Sequence, residues 1–201
     1  MPARKQFRRP LGTRRYGKRF VLATEGEQTE PRYFRQFDRQ LSNIFVHCVQ
    51  KPAGNSPEHV LRRMLQYLQR EELRAGDEAW LVVDKDHWSD AQLERLHRWT
   101  AEAPNRHLAL SNPKFEYWLL LHFEDGAGIG SASDCEQRLR RHVPDYSKRI
   151  DARHFTPDRI EAAVERARRR DHPPCADWPR DSGSTTVYRL VERILRAQTE
   201  S

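Results

Sequence analysis

The chain has 201 residues, of which 32% are charged and 37% are hydrophobic, and its formal net charge is +7. This composition is that of a heavily solvated chain with enough apolar residues to fold. No apolar run is long enough to cross a bilayer, and three scattered cysteines fit neither a zinc pattern nor a disulfide framework. The positive charge favours an anionic partner such as nucleic acid, because Lys and Arg that neutralise phosphates gain from counterion release.

Residues 1–18 are rich in Arg and Lys and poor in apolar residues, which predicts a flexible basic tail. Such a tail is either a nucleic-acid arm or a solubilising extension, and neither role is catalytic. Because no apolar segment follows the basic residues, we expect no signal peptide and a cytoplasmic location.

A short apolar run at residues 19–23 predicts a buried first strand. The run leads to Glu25 and Gly26, and the glycine permits a tight turn or the close approach of a ligand. A helix is then expected to begin near Thr29 or Glu30. The order so far is strand, acidic turn, helix.

A second acidic strand end lies at residues 80–86, where an apolar run leads into Asp84 and Asp86. Alternate strand residues point the same way, so the two aspartates share a face and Lys85 points away. Two close carboxylates repel each other unless a cation or a proton intervenes. Mg²⁺ is a natural partner because one or two carboxylates usually hold it; the alternative is a solvated strand end with acidic turn residues.

Two further strands are predicted at residues 44–49 and 107–110. Helices are expected after Ser56, after a capping box that begins at Ser89, and after Asn112, which would cap a helix with proline at its first position. Four strands that alternate with helices predict a parallel, Rossmann-like α/β sheet flanked by helices.

The pattern changes after residue 124, so residues 19–124 are predicted to form the α/β domain. Residues 125–201 are predicted to form a helical extension packed on that domain, which is also a candidate dimer face. A loop at 171–183 is expected to be exposed. Helices are expected in the extension at residues 133–143 and 156–169 and from Ser184 or Thr185 to about residue 197.

The carboxyl ends of parallel strands lie at one edge of a sheet. If the strand order is 2-1-3-4, strands one and three are neighbours and ligands bind in the crevice at their ends. The sequence then predicts a cluster of carboxylates at this edge, formed by Glu25, Asp84, Asp86 and Glu116. Metal-assisted phosphoryl transfer is the chemistry that needs such a cluster.

Several other side chains are candidates for this site. Lys85 or Lys114 can neutralise charge in the transition state, and Lys114 is favoured because it lies beside Glu116 in the sequence. His87 and His122 can shuttle protons, but the helical spacing of His122 is more typical of an interior histidine.

Two tryptophans, Trp88 and Trp178, are interpreted as exposed side chains. They either stack on nucleic-acid bases or pack against the protein.

The two acidic strand ends carry a resemblance to known families. Glu25-Gly26 after a first strand, with Asp84-x-Asp86 after a third, resembles the Toprim domain of topoisomerases, bacterial primases and OLD-type nucleases. From about Phe20 to near the C-terminus the chain more narrowly resembles the RloB family. The segments that carry this second resemblance are Thr24 to Phe34, Val83 to Asp86, Leu110 to Glu124 with its Ser-Asn-Pro-x-Phe-Glu block, and Ser184 to Val187.

The resemblance implies a Toprim-like fold with Mg²⁺ or Mn²⁺ held by Glu25, Asp84 and Asp86. Glu25 would be a metal ligand or a general base, and Glu116 a further acidic residue of the site. Glu30 lies one position further from Glu25 than the spacing usual in OLD-type nucleases, so we expect Glu30 to support the site from outside it.

The resemblance also implies a role in bacterial defence against phage, as in abortive infection. RloB-type proteins often act beside an AAA-type ATPase, and related systems use a Toprim nuclease that damages host RNA or tRNA. The leading hypothesis is therefore a metal-dependent nuclease acting on RNA, tRNA or DNA. A non-catalytic subunit that docks on the ATPase is the alternative, whereas a nucleotidyl-transfer or topoisomerase activity lacks a candidate tyrosine nucleophile beside the cluster.

Overall fold

The computed structural model describes residues 17–40, 43–49, 56–86, 88–147 and 150–200. Its strands are β1 (Lys18–Thr24), β2 (Ile44–Cys48), β3 (Glu78–Asp84), β4 (Arg106–Asn112) and β5 (Ser184–Thr185). A 3₁₀ turn spans Ala152–His154. The helices are α1 (Thr29–Gln40), α2 (Pro57–Arg70), α3 (Asp90–Ala101), α4 (Phe115–Leu120), α5 (Ala132–His142), α6 (Pro157–Arg170) and α7 (Val187–Thr199).

The strands form one sheet in the order β2-β1-β3-β4-β5. The first four are parallel neighbours, which confirms the predicted α/β architecture and the order 2-1-3-4. Thr24 of β1 lies opposite Val82, and Asp84 of β3 lies opposite Ser111 of β4. The carboxyl ends of three adjacent strands therefore meet at one edge of the sheet.

Apolar side chains alternate between the two faces of the sheet, as the period of a strand requires. Phe20, Leu22 and Trp80 pack on one face with side chains of α1 and of α4 to α7. Val21 and Leu81 pack on the other face with α2 and α3. The sheet is buried on both sides, which is typical of parallel sheets, and the polar chemistry is left to the strand ends.

Two of the predicted helix starts are confirmed by their capping contacts. The Ser56 side chain accepts a hydrogen bond from the backbone N–H of His59 at the start of α2. At the start of α3, the Gln92 side chain accepts from the backbone N–H of Ser89 at 3.1 Å, as a capping box requires.

The start of α4 differs from the sequence prediction. The helix begins at Phe115 rather than after Asn112, and Lys114 occupies the capping position. Asn112 belongs to β4, and its side-chain amide donates to the Arg180 carbonyl at 2.8 Å instead of capping a helix. The sheet thus continues for longer than the Asn-Pro pair suggested.

The prediction of four strands and of a purely helical extension was wrong at β5. Ser184 and Thr185 pair antiparallel with Asn112 and Ser111, and α7 begins only at Val187. Hydroxyl contacts explain the difference, because the Ser111 and Thr185 hydroxyls lie 2.9 Å apart in a buried hydrogen bond.

The loop at 171–183 is less exposed than expected. Trp178 is only 2% exposed and packs with the cluster on the α2 and α3 face. The packing interpretation of this tryptophan is correct, and base stacking by it is excluded by its burial. Asp171 anchors the start of the loop, since its carboxylate accepts hydrogen bonds from the Cys175 backbone and the Tyr188 hydroxyl.

The predicted interior role of His122 is confirmed. Its ring is 2% exposed and lies in an aromatic cluster, 3.0 Å from the Tyr33 hydroxyl. Burial lowers the pKa of His122 to about 3. A proton shuttle at neutral pH is therefore not a role for this side chain.

Two sequence predictions fall on residues outside the described ranges, namely His87 and nearly all of the basic tail. The last predicted tail residue, Lys18, belongs instead to β1, and its ammonium pairs with Glu78 at 2.7 Å. In the described part of the chain, none of the helices combines the length and the apolar character that crossing a membrane would need.

Candidate active site

A cavity of about 450 Å³ opens at the edge of the sheet where β1, β3 and β4 end. We call it the acidic cleft. Carboxylates come to it from the ends of β1 and β3 and from the starts of α1 and α4. Its described lining includes the four predicted carboxylates and the favoured lysine, namely Glu25, Asp84, Asp86, Glu116 and Lys114.

Glu25 is held between β1 and β3. Its carboxylate accepts the backbone N–H of Asp84 at 3.1 Å and the indole N–H of Trp88 at 3.0 Å. Its own backbone N–H donates to the Val82 carbonyl at 2.9 Å. Trp88 is thus a half-buried side chain that orients an acidic residue, a role that its place in the sequence did not indicate.

Gly26 is needed for the close approach of Glu30. The Glu30 carboxylate accepts the Gly26 backbone N–H at 2.8 Å, and a Cβ at Gly26 would overlap that carboxylate. The sequence predicted either a tight turn at Gly26 or the close approach of a ligand. The group that approaches Gly26 in the structure is the Glu30 side chain, from the first turn of α1.

Glu30 belongs to the described lining of the cleft, closer to the site than the sequence indicated, and its supporting role stays a prediction. It is only 4% exposed. Burial raises the pKa of Glu30 to about 7, against the lowering effect of backbone hydrogen bonds, and the charges of Glu116 and Glu25 raise it further. Glu30 lies only four residues after Gly26, at the second position of α1, and this short separation was the available signal for the contact.

Asp84 is a buried carboxylate at the end of β3 with three acidic neighbours. Burial raises its pKa well above the ordinary value, and the charges of Glu30, Glu25 and Glu116 add to this effect. These carboxylates cannot all be ionised together at low cost unless a cation or a proton intervenes.

Asp86 lies just after β3 and is exposed at the cleft. Its backbone N–H donates to the Pro113 carbonyl at 2.9 Å, and the N–H of Lys85 donates to the Ser111 carbonyl at 2.8 Å. These two bonds continue the pairing of β3 with the β4 end, so Asp84 and Asp86 line the same cavity.

Glu116 is buried in the first turn of α4 and is held by the extension. The Tyr146 hydroxyl donates to Oε1 of Glu116 at 2.7 Å. Tyr146 follows α5 and is 5% exposed. The sequence carries no local signal for this contact, because it forms only when the extension folds back onto the sheet.

The two candidate lysines differ in position. Lys114 lines the cleft, 3.9 Å from the Glu116 carboxylate, and forms an ion pair with Glu136 of α5. Burial opposes its charge, but the bond to Glu136 and the nearby carboxylates raise its pKa overall. Lys85 instead pairs with Asp90 at 2.7 Å. Of the two candidate lysines, Lys114 is therefore the one that lines the cleft.

The donor chemistry of the cleft fits Mg²⁺ or Mn²⁺, which prefer carboxylate oxygens. Within the described ranges, however, no three His, Cys, Asp or Glu side chains converge as a ready set of ligands for one ion. Glu25, Glu30 and Glu116 each accept an N–H or O–H donor, which fixes the position of their carboxylates. An ion held by one or two carboxylates, with water and phosphate oxygens completing its shell, is compatible with the arrangement.

Comparisons with known proteins support the resemblance to the RloB family. A family model described as RloB-like protein matches residues 20–194, which include the whole acidic cleft. Searches of curated proteins and of solved structures found no match for the chain.

Proposed function

This chain belongs to the RloB-like protein family, and we propose on that premise that its acidic cleft hydrolyses phosphodiester bonds of nucleic acid with a bound divalent metal ion. One observation carries the proposal. Burial and three neighbouring carboxylates raise the pKa of Asp84 in a cavity that also contains Lys114. A cation relieves this repulsion, and perturbed carboxylates in a cleft are typical of catalytic sites.

Asp84 and Glu25 would hold Mg²⁺ or Mn²⁺, with Asp86 at the exposed side of the cleft and water and substrate phosphate completing the shell. When bound, such an ion supplies an activated water and stabilises the leaving oxygen.

The other side chains of the cleft have distinct roles in this proposal. Trp88 and Tyr146 fix the carboxylates of Glu25 and Glu116 through their hydrogen bonds. Glu30, with its pKa of about 7, carries a proton over part of the neutral range and limits the negative charge of the cleft. Lys114 brings a positive charge to the phosphate that undergoes attack.

The net charge of +7 supports RNA, tRNA or DNA as the substrate class. The resemblance of the Glu25-Gly26 and Asp84-x-Asp86 strand ends to Toprim domains supports a nuclease of that kind. On the same basis, the proposal includes a role in bacterial anti-phage defence beside an AAA-type ATPase.

The test is a cleavage assay with plasmid, single-stranded DNA and total tRNA, with Mg²⁺ or Mn²⁺ and with a chelator. The purified chain is compared with an Asp84→Ala, Asp86→Ala double variant. Asp158→Ala is the matched control, because Asp158 is an exposed aspartate in the first turn of α6. Circular dichroism verifies that all three proteins are folded.

We expect metal-dependent cleavage by the wild type and by Asp158→Ala, and none by the double variant. Cleavage that persists in the double variant would remove the cleft from the mechanism. If the folded wild type cuts no substrate, even with the cognate ATPase added, the nuclease proposal fails and a non-catalytic docking subunit becomes the better hypothesis.

A further inference from the structure

A second cavity, of about 370 Å³, lies beside the acidic cleft. The two cavities share Gly26 and Glu27, so the turn after β1 forms the wall between them. We call the second one the arginine cavity. Its described lining includes Arg35, Arg63 and Glu27.

Arg63 projects from α2 and is only 4% exposed. Its Nη2 donates to the Thr24 carbonyl at 2.6 Å, and its Nε donates to the His59 carbonyl at 3.3 Å. Its buried Nη1 has no hydrogen-bond partner within the described part of the chain. A buried guanidinium donor without an acceptor costs free energy, and such an orphaned group points to a ligand.

Arg35 contributes a second cation to the same cavity. It lies on the exposed side of α1, so an anion reaches it without unfolding of the chain. Glu27 is the one carboxylate among the described lining residues, and it lies on the wall that faces the acidic cleft. Arg35 and Arg63 thus bring two cations to a cavity whose described lining has one carboxylate, while the charges of Glu25, Glu27 and Glu30 also act on Arg63.

We infer that the arginine cavity binds a phosphate of the nucleic-acid backbone, next to the phosphodiester that lies in the acidic cleft. This inference rests on the proposed function for the identity of the neighbouring site. Phosphate oxygens provide several acceptors, and arginine binds them with paired N–H donors. Because the cavities share one wall, consecutive phosphates of a single strand occupy them together.

The experiment removes one positive charge of the protein and one negative charge of the substrate, separately and together, and compares the effects on binding. A set of fluorescent tetranucleotides carries a neutral methylphosphonate at each internucleotide position in turn. Their binding to the full chain is measured by anisotropy for the wild type, Arg35→Gln and Arg63→Gln. Arg62→Gln is the matched control, since Arg62 is exposed on the same helix as Arg63 and lies outside the described lining of the cavity.

We expect Arg35→Gln to weaken binding of the unmodified tetranucleotide roughly threefold to tenfold, the range for one phosphate contact. A methylphosphonate at one position should weaken binding to the wild type by a similar factor and have no further effect on Arg35→Gln. Arg62→Gln should behave like the wild type at every position. Because Arg63 also holds the Thr24 carbonyl, the exposed Arg35 carries the test if Arg63→Gln fails to fold.

The outcomes separate this inference from the proposed function. In one outcome the wild type cleaves nucleic acid, but each methylphosphonate weakens binding to Arg35→Gln as much as it weakens binding to the wild type. The arginine cavity is then not a phosphate site, and the nuclease proposal stands. If the coupling is found while no cleavage occurs, phosphate binding stands and the nuclease proposal fails.

Discussion

The backbone N–H of Asp84 donates a hydrogen bond to the carboxylate of Glu25 at 3.1 Å. This bond joins the ends of β1 and β3 through the side chain of one acidic residue and the main chain of another. Since Trp88 also donates to Glu25, the carboxylate is oriented by two donors from the β3 side. Its carboxylate nevertheless lies near those of Glu30 and Asp84. Because this repulsion costs stability, the arrangement indicates a functional role for Glu25.

Glu25→Gln tests this relation. The amide keeps an acceptor for only one of the two N–H donors and removes one negative charge. Because the lost hydrogen bond and the relieved repulsion oppose each other, we expect only a small change in the melting temperature without metal at pH 8. Cleavage should fall by at least about a hundredfold, because loss of a group that acts on the transition state has effects of this size. Thermal melts and single-turnover cleavage measure the two effects. A variant with near-wild-type cleavage would show that Glu25 has only a structural role.

Glu30 makes stability depend on pH. Its pKa rises from 4.5 to about 7 on folding, so the folded chain binds a proton more tightly than the unfolded chain does. The stabilisation from this proton is complete below pH 4.5 and is lost as the pH rises through about 7. One pKa unit corresponds to about 1.4 kcal/mol, so this carboxyl accounts for roughly 3 kcal/mol at most.

Glu30→Gln should remove this dependence, because its amide oxygen still accepts the Gly26 N–H and carries no charge. In urea unfolding from pH 4.5 to 8.5, the free energy of unfolding of the variant should increase relative to that of the wild type as the pH rises. Glu27→Gln, a change in an exposed side chain of the same turn, is the control. A constant difference between Glu30→Gln and the wild type over this range would contradict the shift.

Metal binding can be tested independently of activity, because a divalent ion that binds the folded chain should stabilise it. A ligand present at a hundred times its dissociation constant stabilises by about 2.7 kcal/mol. We expect Mg²⁺ or Mn²⁺ to raise the melting temperature more at pH 8 than at pH 5.5, since the ion competes with protons for Asp84, whose pKa is raised. The Asp84→Ala, Asp86→Ala double variant should lose this gain, and NaCl at equal ionic strength is the control. An equal gain in the double variant would place the ion elsewhere.

The sequence predicted the sheet well because its strands are short apolar runs between clear turn and capping residues. It also predicted the cleft, since the strand order brings Glu25, Asp84 and Asp86 to one edge. It could not predict Tyr146, whose contact with Glu116 depends on how the extension folds back. Nor could it predict β5, because two hydroxyl residues ahead of a helix have no strand pattern of their own.

Lys114 and Lys85 provide a matched pair for the role of positive charge. Lys114 lines the cleft between Glu116 and Glu136, whereas Lys85 pairs with Asp90 outside the lining of the cleft. Lys114→Gln should lower the cleavage rate roughly tenfold or more, because charge near a developing anion acts in a partly dry site. Lys85→Gln should cost less than Lys114→Gln, because the partly buried Lys85 pairs with the exposed Asp90 and donates to the Trp88 carbonyl, outside the lining of the cleft. Equal losses in the two variants would argue against a catalytic role for Lys114.

Tyr146 should couple the extension to the cleft. Tyr146→Phe removes the O–H that donates to Glu116 at 2.7 Å and leaves a buried carboxylate with one donor fewer. We expect a loss of about 1–3 kcal/mol in the free energy of unfolding without metal, the usual cost of an unpaired buried group. Saturating Mg²⁺ should restore part of this loss only if Glu116 shares in holding the ion.

The readout is urea unfolding of Tyr146→Phe and the wild type, each with and without Mg²⁺. Glu116→Gln in both backgrounds completes a double-mutant cycle. If the effect of Tyr146→Phe is unchanged in Glu116→Gln, the two side chains are not coupled, and the extension supports the cleft by apolar packing alone. A coupling of about 1 kcal/mol or more would establish the hydrogen bond as the link between the C-terminal helices and the acidic residues.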